Sequence, residues 1–363
     1  MNPFLERVVQ ASARRGRQAA LVCRRNGCAA ATRFVRDSVR RHPGATVRLG
    51  PDTMSPVSRP RRLRVLCPWG ATGGPEALHQ LVHVARGLGV DARIVYVPSN
   101  DVVPEPYRIY DVEPVPSFED RDDVVLVVPE MFAQDLLGFR QVVPVLWWLS
   151  WDYGLTNLDA LNQRDIVHAS QSHYAFDMLR RRLRRPRQLT MLSDFTREEF
   201  LTADRPLRRQ DAAAFFPRKS GELGEQLVAA NPDIDFVRIE SMTPQQVKET
   251  LRRVKVYVDL GQHPGKDRVP REAAVSGCCV ITSSDRGASQ YFEDIPIPRQ
   301  YKFSTSDFSA RHVGDAIRDC MLEYDRRSHD FALYRAVICG ERLTFEEEVY
   351  RLMRELGCLA TTG

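Results

Sequence analysis

The sequence lacks any long apolar run. The longest, Val142 to Trp151, has ten positions and includes a proline and a serine, whereas a membrane-spanning helix needs about 20 consecutive apolar residues. The N-terminus also lacks the charged-then-apolar pattern and the small-residue cleavage site of a secretory signal. Both absences lead us to expect a protein that stays in the cytoplasm.

Cysteine pairs with metal-binding spacing are also missing. The eight cysteines show no CxxC pattern and lie mostly among apolar residues, which predicts reduced, buried thiols rather than a disulfide framework or a zinc site. His79 and His83 stand four residues apart, as in the HExxH motif of zinc hydrolases, but the sequence is HQLVH and the catalytic glutamate is absent. The sequence therefore predicts no metal site.

Positive charge is concentrated in residues 1–62, which we interpret as a basic extension and linker. This segment has 14 arginines against three acidic residues, whereas the remaining 301 residues carry a net charge of −6. Arginines mixed with apolar residues at helical spacing fit peripheral contact with an anionic membrane, and they fit a solvated arm equally well. Because no recognised nucleic-acid-binding motif accompanies the charge, we expect no nucleic-acid partner.

Strands and helices alternate in the remainder and restart at a polar break near residue 205. With 363 residues and 43% hydrophobic content, the chain is long enough for two domains with ordinary cores. The alternation predicts an α/β protein with two Rossmann-like βαβ sheets, one in each half. The predicted strands are Leu63 to Cys67, Asp91 to Val97, Val124 to Val128, Val142 to Ser150, Asp165 to Ala169, Leu189 to Leu192, Ala212 to Phe216, Asp235 to Ile239, Val256 to Leu260 and Cys278 to Ile281.

Three features of the first half follow predicted strands. Gly73 and Gly74 lie in a loop that either lets a backbone approach a ligand closely or makes a tight turn. Asp152 is a candidate general base or hydroxyl ligand, and turn-capping aspartates are at least as common. His173, near the start of a helix, is a catalytic candidate or a structural first-turn histidine. In a parallel sheet these features share one edge.

The second half places two cations where a strand passes into a helix. Arg218 and Lys219 lie in the segment PRKSG. Two cations beside a helix N-terminus can hold a diphosphate by charge-assisted hydrogen bonds without a metal. The alternative is a solvated basic turn.

A second polar loop follows the predicted strand Val256 to Leu260. It carries Lys266 and Arg268 and leads into a short helix that we expect to begin near Arg271 and to contain Glu272. Loops at the carboxyl ends of parallel strands that enter helix N-termini favour phosphorylated ligands, because free N–H groups and the helix dipole attract anions.

These residues carry a resemblance to a known family. The stretch GKDRVPREAAVSGCCVIT resembles the donor-site loop and helix of GT-B glycosyltransferases, in which a glutamate is followed after seven residues by LPxxEAMAxGxPVI. Glu272 and Ala273 match the second glutamate and its alanine, and Gly277 matches the glycine. The order of CPWGATGGPEALHQL, WWLSWD, PRKSG, HPGKDRVPREAA and DIPIP resembles a bacterial branch associated with surface polysaccharides, over about Leu63 to Tyr350.

The resemblance implies two Rossmann-like domains that face each other across a cleft. Residues 63–205 would form the acceptor-side domain, residues 206–340 the nucleotide-sugar donor domain, and residues 341–363 a helix that crosses back. Glu272 would accept hydrogen bonds from ribose hydroxyls, and Arg218 and Lys219 would neutralise the departing diphosphate. The Gly73-Gly74 loop would close over the phosphate or sugar.

The chain departs from the family pattern in front of Glu272. Pro264 stands where the first glutamate is expected, and His263, Lys266 and Asp267 occupy the space of the usual EGFG. The pattern therefore leaves two stereochemical outcomes and the contact with the transferred sugar open: an inverting enzyme needs a base such as Asp152 or His173, whereas a retaining enzyme can proceed without one.

The sequence as a whole predicts a glycosyltransferase that moves a sugar from a nucleoside diphosphate sugar to a saccharide or lipid-linked acceptor, without a cofactor or metal. It would act in polysaccharide or glycoconjugate assembly. The competing hypotheses are a catalytically degenerate binding or scaffold protein and another GT-B transferase or an epimerase.

Overall fold

The computed structural model describes residues 60–70, 73–152, 158–162, 164–183, 188–201 and 208–359. They form two compact units. The first unit contains residues 60–195 together with 342–359, and the second contains residues 196–341. Nearly all of the basic extension 1–62, and with it the predicted membrane contact, lies outside the described residues.

The first unit is built on a six-stranded parallel sheet with the order β2-β1-β3-β4-β5-β6. Its strands are β1 (Arg62–Pro68), β2 (Ala92–Val97), β3 (Val124–Pro129), β4 (Val143–Trp148), β5 (Val167–Ser170) and β6 (Gln188–Met191). Its helices are α1 (Gly73–Gly87), α2 (Leu158–Leu161) and α3 (His173–Arg182).

Both faces of this sheet are buried. Along β3, Val125 and Val127 pack into one apolar cluster, whereas Leu126 and Val128 pack into another. Successive side chains of a strand point to opposite faces, so a strand covered on both sides reads as a continuous apolar run. The run VVLVV therefore specifies a central strand with apolar layers above and below it.

The second unit has a five-stranded parallel sheet with the order β11-β10-β9-β7-β8. Its strands are β7 (Gln210–Phe215), β8 (Asp235–Arg238), β9 (Val254–Asp259), β10 (Cys279–Ser283) and β11 (Lys302–Phe303). Its helices are α4 (Glu198–Leu201), α5 (Pro217–Ala230), α6 (Pro244–Arg253), α7 (Arg268–Val275), α8 (Ala310–Leu322), α9 (Tyr324–Arg327) and the first part of α10 (Ala332–Glu355).

The last helix, α10, belongs to the first unit from Arg342 onward. Phe345, Val349 and Leu352 are buried in the cluster that also contains Trp147 of β4. The rings of Trp147 and Phe345 are stacked with centroids 6.3 Å apart. The final turns of the chain therefore complete the core of the first unit.

Individual residues shape the first turns of α5 and α6. In α5, Gly221 has φ +54° and ψ −139°, which divides the helix into a first turn, Pro217 to Ser220, and a longer second part. Glycine adopts such positive φ values without steric cost. Thr243 and Gln246 form a reciprocal capping box at the start of α6, which satisfies free N–H groups of its first turn.

The prediction of two parallel α/β sheets is confirmed, and all ten predicted strands are present. One helix boundary was predicted wrongly: the short helix α7 begins at Arg268 rather than near Arg271. Two short 3₁₀ helices, Glu130–Phe132 and Asp135–Gly138, follow β3. The last helix, α10, begins at Ala332, nine residues before the expected segment 341–363.

The described cysteines are free thiols, and all except the half-buried Cys339 are buried. No described helix combines the length and the apolar character needed to cross a membrane.

Candidate active site

The order of strands in the second sheet identifies one edge as a candidate site. β7 lies between β8, the next strand in sequence, and β9. The chain therefore reverses its direction across the sheet at β7, and in open α/β sheets ligands bind at such a switch point, beyond the carboxyl ends of the strands. The first turn of α5, directly after β7, carries Arg218 and Lys219, and the loop after β9 leads to Glu272.

Lys219 lies between two carboxylates at this edge. Its Nζ donates to Asp259 Oδ2 at 2.6 Å and to Asp267 Oδ2 at 2.8 Å. Burial opposes the charge of Lys219, but the two carboxylates outweigh burial and raise the pKa of Lys219 to about 12. Its positive charge is therefore already balanced within the protein.

Asp267 also stands beside a buried histidine. Nδ1 of His263 lies 2.7 Å from Asp267 Oδ2. Burial alone would raise the pKa of Asp267, but the Lys219 ammonium and His263 together lower it well below its usual value. Asp267 thus stays ionised, and it is the N-cap residue of α7.

The first turn of α5 and the loop after β9 are in direct contact at Gly261. A Cβ on this residue would lie 2.6 Å from the carbonyl oxygen of Lys219 and 2.7 Å from Lys219 Cγ. Gly287, with φ +58°, packs still more closely, since a Cβ there would lie 1.9 Å from the carbonyl oxygen of His263. The loop after β9 is therefore enclosed between the first turn of α5 and the 3₁₀ helix Gly287–Gln290.

The other predicted donor-site residues differ in exposure. Arg218 is exposed, and no hydrogen bond or ion pair joins it to the described part of the chain. Arg268 is the first residue of α7, and Glu272 lies one turn later; both side chains are partly buried. The ionised Glu272 is one of the groups that raise the pKa of the buried Tyr257 hydroxyl, after burial itself and the carboxylates of Asp259 and Asp267.

Lys266 is held by a residue that sequence reasoning missed. Its Nζ lies 2.9 Å from Oε1 of Glu341, in α10. The buried Arg271 also contacts this carboxylate, with Nη1 3.0 Å from Oε2. Glu341 lies 70 residues beyond Arg271 in an otherwise ordinary helical stretch, so the sequence offered no signal for this pairing.

The first sheet has an equivalent switch point between β1 and β3, since β1 lies between β2 and β3. Gly73 and Gly74 begin α1 just beyond β1. A Cβ on Gly74 would lie 3.6 Å from Leu149 Cδ1, an ordinary contact. Space around Gly74 therefore does not itself require glycine.

Asp152 and His173 lie at this same edge. Asp152 is exposed and accepts a hydrogen bond of 3.1 Å from the hydroxyl of Tyr174. His173 is the partly buried first residue of α3, after the N-cap Ser172, whose side chain accepts from the Ala175 N–H at 3.1 Å. The prediction thus placed both residues at strand ends correctly, and Tyr174 is the group that links Asp152 to α3.

Glu130, for which the sequence suggested no role, occupies the edge at the end of β3. Its buried carboxylate accepts the backbone N–H of Leu149 at 3.0 Å. Burial raises the pKa of Glu130 to about 7, even though the N–H groups of Leu149 and Ser150 favour the anion. The available signal was an acidic residue directly after a fully apolar strand.

The two histidines of α1 are structural. His79 is buried, with Nδ1 2.6 Å from the Pro75 carbonyl oxygen and Nε2 2.8 Å from the Tyr96 hydroxyl. Burial lowers the pKa of His79 to about 4. His83 accepts the backbone N–H of Asp111 at 3.0 Å. Within the described ranges, no group of three or more His, Cys, Asp or Glu side chains is placed to hold a metal ion.

Comparison with known proteins gives matches in structure alone. No protein-family model matches the sequence, and no curated protein matches it significantly. HepE from Anabaena, solved with UDP and glucose, superposes with a TM-score of 0.57 at 10% identity, covering 81% of this chain and 99% of that one. Sucrose-phosphate synthase from Thermosynechococcus elongatus gives 0.58 at 13% identity, with 82% and 99% covered.

WaaG, a glycosyltransferase involved in lipopolysaccharide biosynthesis, gives a TM-score of 0.56 at 10% identity, with 83% of this chain and 100% of that chain covered. At such low identities the superpositions establish a shared fold only, and the chemistry has to be argued from the residues of the site. The matches span nearly the whole of each neighbour, and they agree with the two parallel sheets described above. The chain has the GT-B glycosyltransferase fold.

Proposed function

We propose that this protein is a glycosyltransferase that moves a sugar from a nucleoside diphosphate sugar to a saccharide or lipid-linked acceptor in polysaccharide or glycoconjugate assembly. The observation that carries the proposal is the contact of the first turn of α5, which holds Arg218 and Lys219, with the loop before Glu272 at the switch point of the second sheet. HepE, a neighbour with the same fold, has been solved with UDP and with UDP-glucose.

Glu272 would bind the ribose of the donor. A carboxylate accepts hydrogen bonds from two neighbouring hydroxyls and so favours a ribonucleotide. It lies in the second turn of α7, whose N-terminus would face the diphosphate. This geometry matches the order of groups in a nucleoside diphosphate.

Arg218 would contribute most of the charge that stabilises the departing diphosphate. Its guanidinium is exposed, whereas Lys219 is already paired with Asp259 and Asp267. Lys219 would therefore chiefly hold the first turn of α5 against the loop after β9, and its charge would add a long-range attraction for the diphosphate. Stabilisation of the leaving group by fixed cations and a helix N-terminus requires no metal ion, and we propose a metal-independent transfer with Arg268 as a further cation.

The acceptor would bind at the edge of the first sheet, near Gly73 and Gly74. If the transfer inverts the anomeric centre, Asp152 is the candidate base, since its exposed carboxylate is oriented by Tyr174. His173, at the start of α3, is the second candidate. Replacing Asp152 with Asn should then lower kcat while leaving nucleotide affinity unchanged.

The decisive experiment is a mass-spectrometric screen of the purified protein against a panel of nucleoside diphosphate sugars, with saccharide and lipid-linked acceptors. We expect release of a nucleoside diphosphate together with a glycosylated product or slow donor hydrolysis. Glu272→Gln and Arg218→Ala should abolish most turnover without altering the circular dichroism spectrum. Unchanged kinetics in both variants would refute the assignment of the site.

A binding or scaffold protein is the second candidate. It is favoured by Pro264, which replaces the sugar-contacting glutamate of the family pattern, and by the balanced charge of Lys219. Nucleotide binding with neither transfer nor hydrolysis across the panel would support it. A product without a glycosidic bond would instead indicate another GT-B transferase or an epimerase.

A further inference from the structure

Glu341 is a buried carboxylate on which four groups of the second unit converge. Its Oε2 accepts from Arg271 Nη1 at 3.0 Å and from both the backbone N–H and the hydroxyl of Thr196, at 3.0 and 2.9 Å. Lys266 Nζ lies 2.9 Å from Oε1. The side chain of Glu341 is 3% exposed and that of Arg271 is fully buried. Removing charges from water costs free energy, and proteins retain buried charges where these are paired and hydrogen-bonded.

Arg271 connects Glu341 to the loop that precedes α7, residues 260–267, which we call the donor loop. Its Nε donates to the Asp267 carbonyl oxygen at 3.1 Å, and its Nη2 donates to the Lys266 carbonyl oxygen at 3.0 Å. The guanidinium therefore bridges Glu341 and the backbone that immediately precedes α7. Lys266 attaches the same turn to the same carboxylate through its side chain.

The loop needs such an anchor because its own sequence does not specify its shape. Residues Leu260 to Asp267 have no regular secondary structure and include Gly261, Pro264 and Gly265. The helix that follows, α7, has only eight residues. Short helices are held by tertiary contacts rather than by intrinsic propensity.

We propose that Glu341 is a positioning residue for the donor site, which fixes the Lys266–Arg271 turn so that the N-terminus of α7 meets the donor diphosphate. The inference rests on the proposed function for the identity of the ligand. It requires no contact between Glu341 and substrate. Among the described residues of the second unit, Thr196 is the first and Glu341 the last, so the same carboxylate also joins the two ends of this stretch.

Glu348 provides a matched control on the same helix. It lies seven residues after Glu341, and its Oε2 accepts both the backbone N–H and the hydroxyl of Ser193, each at 2.7 Å. Taken as a whole residue, Glu348 is 7% exposed and Glu341 is 4% exposed, so the two are similarly buried. Both carboxylates therefore hold a backbone segment, but Glu348 belongs to the first unit.

The first test is hydrogen exchange of the full-length protein without ligand. Glu341→Gln keeps the shape of the side chain and removes its charge, so amides of residues 261–272 should exchange about tenfold faster, the factor that corresponds to 1.4 kcal/mol. Strands β7, β9 and β10 should keep their protection. Glu348→Gln should leave residues 261–272 unchanged. Wild-type exchange in this loop, or a uniform increase across the second unit, would overturn the proposal.

The second test separates positioning from general stability. With donor and acceptor varied independently, Glu341→Gln should raise the KM for donor and the Kd for UDP about tenfold, with the acceptor KM unchanged. Lys266→Met should weaken donor binding in the same direction, and the double variant should show less than the product of the two effects. Equal changes in both KM values would contradict a role specific to the donor loop.

A failure of the proposed function and a failure of the positioning role give different results in these two tests. If wild-type protein binds no nucleoside diphosphate, the proposed function fails, and the exchange measurement still decides whether Glu341 holds the loop. If nucleotide binds and Glu341→Gln binds it as well as wild type does, the positioning role is rejected and the proposed function stands.

Discussion

Lys219 donates a hydrogen bond of 2.8 Å to Asp267, which joins the first turn of α5 to the N-cap residue of α7. The bond spans 48 residues of sequence and places the cation of the PRKSG segment between two carboxylates. The strand order explains this contact, since β7 and β9 are neighbours and their carboxyl ends meet. Adjacent residues of one motif thus have different roles: Lys219 joins the first turn of α5 to the loop after β9, and Arg218 is exposed.

Replacing Lys219 with Met should destabilise the second unit. Asp259 and Asp267 would then lose the cation that compensates their burial, and because Lys219 is 27% exposed we expect a loss of about 2 kcal/mol, below the value for a fully buried pair. Urea unfolding followed by circular dichroism measures the change. Arg218→Met is the matched control, and it should leave stability unchanged while weakening binding of UDP. Equal stability losses in both variants would contradict this division of tasks.

Replacing Gly261 with Ala should cost about 1–3 kcal/mol of stability, the range for an overpacked core site. The added Cβ would lie 2.6 Å from the Lys219 carbonyl oxygen, and backbone cannot move aside as a flexible side chain can. Gly340→Ala, in the middle of α10, is the control: its Cβ meets nothing within 4 Å, so stability should rise by up to about 1 kcal/mol. A Gly261→Ala variant with unchanged stability would show that the first turn of α5 and the loop after β9 are not in contact.

Glu130 should make the stability of the first unit fall as pH rises. Burial raises its pKa from 4.5 to about 7, so between these values the folded state holds a proton that the unfolded state has lost. The stabilisation is complete below pH 4.5 and is lost as pH rises through 7. At about 1.4 kcal/mol per pKa unit, the loss amounts to about 3 kcal/mol.

Glu130→Gln should remove this part of the pH dependence. The measurement is the difference in unfolding free energy between wild type and variant at pH 5 and at pH 8, where the variant should gain on wild type at the higher pH. A difference that does not change between the two pH values would refute the raised pKa.

Replacing Phe345 with Ala should destabilise the first unit by about 3–5 kcal/mol, the usual cost of deleting a buried aromatic ring. Phe345 is fully buried and stacks on Trp147 of β4. Leu343→Ala, at a position that is 37% exposed, should change stability by less than about 0.5 kcal/mol. Tryptophan fluorescence during thermal unfolding would report the loss, and similar melting temperatures for both variants would contradict it.

The sequence by itself determined the architecture. Continuous apolar runs such as Val124 to Val128 specify strands buried on both faces, and the restart at Ala212 specifies a second sheet, because these patterns depend on local periodicity and burial. It also located candidate residues correctly at strand ends. It misplaced the start of α7, because Pro270 suggested a helix boundary and the helix instead tolerates proline in its first turn.

The tertiary structure alone decided which charges are paired. Lys219 with Asp259 and Asp267, and Lys266 and Arg271 with Glu341, are pairs separated by 40 to 75 residues, and nothing in local sequence encodes such separations. Strand order brings the first group together, and the return of the chain in α10 supplies Glu341. Burial lowers the local dielectric, so each of these ion pairs attracts more strongly than it would in water, and this attraction offsets the cost of removing the charges from water.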